Sequence, residues 1–99
     1  MALMYVTEYA GLGTDPNGST QAVATPPLVE QTPVAIGAAA SSLPFGVNTT
    51  IVRIHVDAIA SVNINIGGAA TTSSGRMVAG QTEYFRVAPG QRANVITNT

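Results

Sequence analysis

The chain has no cysteine, no tryptophan and no lysine, and only one histidine in 99 residues. Without cysteine there is neither a disulfide framework nor a thiolate metal site. A single histidine cannot supply a two-histidine metal centre or a histidine dyad within one chain, so no metal and no cofactor are expected. Charge is scarce as well: four arginines and five acids leave a net charge of −1, with 9% of residues charged. Nucleic-acid binding and attachment to anionic membranes both need a basic footprint, so neither partner is expected. No apolar run approaches the ~20 residues of a membrane-spanning helix. The start, MALMYVTEYAGLG, lacks a basic region and carries Glu8, unlike a secretory signal.

What is present is strand composition. Valine and isoleucine total 18 against four leucines, and twelve threonines add further β-branched side chains. These fit a pleated surface and lose rotamer freedom in a helix. Ile51–Asp57 alternates strictly, placing Val52, Ile54 and Val56 on one face and Arg53, His55 and Asp57 on the other. Ser61–Ile66 repeats the device, with Val62, Ile64 and Ile66 inward and Ser61, Asn63 and Asn65 outward. Asp57–Ala60 is short enough to join the two as a hairpin or a corner. Further strands are expected over residues 2–9, Gln21–Ala24, Val34–Ala40, Arg76–Ala79, Thr82–Ala88 and Gln91–Thr97. Gly67–Gly75 reads as a flexible connection and Gly80-Gln81 as a turn. Pro89-Gly90 fits the centre of a type II turn, because proline pre-sets the first φ and glycine accepts the positive second.

The count is seven or eight short strands without a convincing helix. The expectation is one all-β domain over residues 1–99, an antiparallel β-sandwich or jelly roll. Its core should include Val52, Ile54, Val56, Val62, Ile64, Ile66, Phe85, Val87 and Val95. Residues 10–33 contain seven glycines and prolines, including the turn sequence Asp15–Gly18, which interrupt any period. This span reads as an extended arm or long loop. Its apolar residues Leu12, Val23, Leu28 and Val29, with Pro26 and Pro27, are candidate interface residues, because they need burial against something.

Catalytic signals are few. Arg53, His55 and Asp57 share one strand face, which permits His55 as a base oriented by Asp57. No motif positions a nucleophile beside it, so the cluster reads as a cross-strand surface or interface group, and no enzyme is expected. The acids Glu8, Glu30, Asp57 and Glu83 stand singly in the sequence. Tyr84-Phe85 should put one ring in the core and the other on the surface. So little charge, with edge strands to cover, suits a chain packed against partners as a homo-dimer or homo-trimer.

Tyr5-Val-Thr-Glu-Tyr9, Ile51-Val-Arg-Ile-His-Val-Asp57 and Gln81-Thr-Glu-Tyr-Phe-Arg-Val-Ala-Pro-Gly90 together resemble the small β-rich virion proteins that tailed bacteriophages encode beside their major capsid protein. The resemblance runs over most of the chain and implies a non-enzymatic capsid decoration or cement protein. Such a chain would be made in the host bacterial cytoplasm and bound to the major capsid protein on the capsid surface. Neck and tail proteins share this composition. A carbohydrate- or receptor-binding β module, using Tyr84, Asn63, Asn65 and the 67–75 loop, is the reading from another class.

Overall fold

Alternating β-branched segments can bury one face only by stacking sheet on sheet, and that is the architecture found. The computed structural model describes residues 2–10, 12–14, 20–24 and 28–98. Eleven strands follow one another, with no helix among the described residues: β1 (Leu3–Tyr9), β2 (Leu12–Thr14), β3 (Thr20–Ala24), β4 (Val29–Glu30), β5 (Val34–Ala35), β6 (Ala40–Ser41), β7 (Ile51–Val56), β8 (Ala60–Asn65), β9 (Gly75–Met77), β10 (Thr82–Arg86) and β11 (Arg92–Thr97). The first sheet has the order β10-β7-β1, with β4 and β5 both pairing along the far side of β1. The second has the order β6-β11-β8-β9, and β2 and β3 form a separate two-stranded ribbon. Every pairing is antiparallel. The fold is an all-β sandwich.

The core lies between the two inner faces. Met4, Val6, Val52, Ile54 and Val56 from the first sheet meet Ala60, Val62, Met77, Ala93 and Val95 from the second, with Phe45 inserted from a loop. Ile64, Phe85 and Val87 are half-buried against this cluster. Strict alternation in β7 therefore reads out as expected. Tyr84 is exposed while its neighbour Phe85 packs on the core.

Ile66 departs from the expected core: it is 72% exposed, because β8 ends at Asn65 and the chain turns away before the next inward position. Ser61, expected on the solvent side, is fully buried. The 66–74 connection folds down over the outer face of β8, with Ala70 buried beneath it. The Ser61 hydroxyl donates to the Thr72 carbonyl at 3.4 Å and accepts from Asn98 Nδ2 at 2.8 Å. That connection is thus pinned rather than loose. Gly68 N–H donates to Asn65 Oδ1 at 2.6 Å, and Asn63 Nδ2 donates to the Ala69 carbonyl at 3.3 Å.

The single strand expected over Val34–Ala40 is two short ones in different sheets, because Ile36–Ala39 bends across the sandwich. Asp57–Ile59 makes a corner and not a hairpin: β7 and β8 belong to opposite sheets. The Pro89-Gly90 turn is present, with Gly90 at φ +83° and the Gln91 N–H donating to the Ala88 carbonyl at 3.3 Å. Val78–Gln81 repeats it: Gly80 lies at φ +81°, and the Gln81 N–H donates to the Val78 carbonyl at 3.1 Å. In both turns the closing glutamine also caps the opening residue. Gln81 Oε1 accepts from the Val78 N–H at 2.9 Å, and Gln91 Oε1 from the Ala88 N–H at 2.8 Å.

Candidate functional site

Polar groups inside the sandwich are already committed. Glu8 is 2% exposed, and its carboxylate accepts from Gln31 Nε2 at 2.9 Å, the Gly46 N–H at 2.9 Å and the Thr49 hydroxyl at 2.8 Å. Gln31 carries the connection onward, donating to the Leu43 carbonyl at 3.2 Å and accepting from the Leu43 N–H at 2.9 Å. The cluster fastens β1, residue 31 and the 43–49 loop to one another. Its role is structural, and the isolated positions of Glu8 and Gln31 in the sequence gave no sign of it. Among the described residues no buried side-chain nitrogen or oxygen lacks a partner. Any binding capacity lies on the surface.

The outer face of the first sheet gathers the chain's three tyrosines, its histidine and two of its four arginines. Register sets them in rows. Glu30, Thr7, Arg53 and Tyr84 lie side by side across four strands; Tyr5, His55 and Thr82 form the next row, and Tyr9, Ile51 and Arg86 the row on the other side. The Arg53–His55–Asp57 face expected from the sequence is here. His55 Nδ1 shares a 2.7 Å hydrogen bond with the Thr82 hydroxyl, and its Nε2 stands 3.7 Å from Asp57 Oδ1. The Tyr5 ring packs on the imidazole with centroids 6.1 Å apart, and Tyr9 meets Tyr84 at 6.4 Å. Arg53 is half-buried, yet among the described residues no hydrogen bond or ion pair engages its guanidinium.

A cleft of about 450 Å³ opens on this face beside β1, walled by Tyr5, Thr7, Glu30, Thr32, Pro33 and Arg53. It exists because β4 and β5 pair with opposite ends of β1, and residues 32 and 33, after the Gln31 N–H bond to the Val6 carbonyl, leave the ladder. The outer face of the second sheet carries an amide network instead. Asn94 Nδ2 donates to Asn63 Oδ1 at 2.8 Å and Asn65 Oδ1 at 3.2 Å, while Asn94 Oδ1 accepts from the Ser41 hydroxyl at 2.6 Å. Asn63 and Asn65 are therefore occupied in holding the 66–74 connection, not displayed for a ligand.

The third feature is the end of the sandwich where β1 stops. Leu28, Val29, Leu43 and Val47 are exposed there, at 48%, 45%, 67% and 82%. They surround the Glu8 cluster: the Leu28 N–H donates to the Glu8 carbonyl, and Leu43 is bound by Gln31. Residues 28–31 run along β1, which shortens the expected 10–33 arm to the stretch before Leu28. Within that stretch Leu12 and Val23 fall in the β2–β3 ribbon, whereas Pro26, Pro27 and the Asp15–Gly18 turn lie outside the described residues. The structure thus places Leu28 and Val29 at one end and Arg53, His55 and Asp57 on the neighbouring outer face, so the candidate residues form two surfaces. Comparison with protein-family models, curated proteins and solved structures finds no match.

Proposed function

We propose that this chain is a non-enzymatic structural virion protein of the tailed-bacteriophage decoration type, which binds the major capsid protein in the assembled shell and stabilises it. The observation that supports this most is the apolar end. Four large aliphatic side chains are exposed together around the point where the chain departs into the 10–27 segment. Several exposed apolar groups on adjoining segments suit a docking surface, whereas single ones would need no explanation. The low charge of the chain agrees, since the cores of interfaces are depleted of charged residues.

Attachment of this kind works by mass action. A protein that binds only the assembled lattice stabilises it over free subunits, and many copies add modest contacts into a large effect. The β2–β3 ribbon reaches a neighbouring subunit and the apolar end seats on the shell. Closed symmetry makes a dimer or trimer the form of the unit.

The test is mass spectrometry of purified particles. A copy number comparable to that of the major capsid protein supports decoration; a few copies would move the chain to the neck or tail, and absence would overturn the virion reading. Replacing residues 11–27 by a short Gly/Ser linker, and separately Leu28→Ser with Val47→Ser, should each abolish particle binding while the sandwich stays folded.

A further inference from the structure

The cleft on the outer face of the first sheet adjoins the apolar end, but its chemistry differs. The structure assigns it, we propose, as a binding site for a neutral saccharide.

The shape follows from register. Glu30, Thr7 and Arg53 stand side by side on β4, β1 and β7. Thr7 is short and its two neighbours are long, so the row forms a trough with Thr7 as its floor. Glu30 and Arg53 are two strand spacings apart, roughly 9.5 Å between Cα atoms, which leaves room for one pyranose ring between their head groups. The volume of about 450 Å³ falls within the ordinary range of ligand clefts.

The polarity follows from the residues. Arg53 offers five N–H donors, Glu30 accepts, and the Thr7 and Thr32 hydroxyls do both. No described residue makes a hydrogen bond or ion pair with either charged side chain. One positive and one negative charge cancel, which disfavours a phosphate or other anion and suits a ligand rich in hydroxyls. Tyr5 and Pro33 add apolar surfaces on which the C–H face of a sugar can lie.

The Tyr5 ring is also held in place. It packs on His55, which is in turn fixed by Thr82 and stands beside Asp57. A ring already oriented loses less freedom when a ligand stacks on it. In this arrangement His55 is a positioning residue and Tyr5, Arg53 and Glu30 make the contacts.

The experiment uses the full chain, isotopically labelled, titrated by NMR with methyl glycosides of glucose, galactose, mannose and N-acetylglucosamine and with their linear oligosaccharides. Inorganic phosphate serves as the anionic control. Saturable shifts confined to Tyr5, Thr7, Glu30, Thr32 and Arg53 are expected with at least one sugar and not with phosphate. Tyr5→Ala and Arg53→Met should each weaken that binding about tenfold, and Tyr5→Phe should retain most of it. Unchanged spectra with every sugar would overturn the proposal, as would phosphate binding in preference or shifts that survive both substitutions. Because the isolated chain is titrated, the result is independent of whether it is found on particles.

Discussion

The side chains of Glu8 and Gln31 meet at 2.9 Å, both buried, although 23 residues separate them in the chain. Glu8→Ala removes the acceptor for three donors at once and leaves those donors in place. The expected loss is about 3–5 kcal/mol, because buried donors without partners cost more than the bonds themselves contribute. Urea unfolding should show a lower midpoint with an unchanged slope. Glu8→Gln, which keeps one carbonyl acceptor but turns an NH₂ group towards these donors, should fall between the two.

The paired turns at Val78–Gln81 and Ala88–Gln91 predict a stabilising substitution. Pro89 occupies the second position of one turn, where Ala79 stands in the other, and the Ala79 N–H makes no hydrogen bond among the described residues. Ala79→Pro should therefore raise stability by about 0.4–1 kcal/mol by restricting the unfolded chain. Gly80→Ala and Gly90→Ala should each lower it by about 1 kcal/mol, since both glycines hold positive φ. Thermal unfolding of the three variants checks both signs.

Gly67 and Gly68 are adjacent but should respond differently. A Cβ on Gly67 meets nothing within 4 Å, whereas one on Gly68 would stand 2.7 Å from Asn65 Nδ2. Asn65 cannot move freely, because its Oδ1 accepts from both Gly68 N–H and Asn94 Nδ2. Gly68→Ala should cost about 1–2 kcal/mol and speed hydrogen exchange through the 66–74 connection. Gly67→Ala should do neither.

Ile54 and Ile64 both alternate inward, yet only Ile54 is fully buried. Ile54→Ala should cost about 4 kcal/mol and Ile64→Ala roughly half of that. Equal losses in chemical denaturation would contradict the burial difference.

The strands were legible wherever one face is buried and the other is not. Val52, Ile54 and Val56 could be assigned from period two alone, because a slip of one residue would expose all three. Reading failed where burial came from elsewhere. Ser61 is buried by a connection that folds over its sheet, and Ile66 continues the alternation one step beyond the end of its strand. Val34–Ala40 reads as one strand because its residues are small and apolar, and nothing local marks the point at which it changes sheets. The face carrying Arg53, His55 and Asp57 followed from one strand. The trough between Glu30 and Arg53 did not, since it depends on Thr7 standing between residues that lie 23 apart in sequence.

After β5, every connection except β8–β9 passes from one sheet to the other. Neither sheet can then be completed while the other is missing. Strand partners such as β1 and β7 lie more than forty residues apart, so chain closure precedes most of the stabilising contacts. Refolding should accordingly be slow for a chain of this length, on a scale of milliseconds to seconds, as in other sandwiches dominated by distant pairings. Loss of the two packed sheets should be all-or-none, the separate β2–β3 ribbon apart. Any surface built from several strands of either sheet therefore takes shape only once the whole topology has closed, which makes closure a kinetic checkpoint for every such surface.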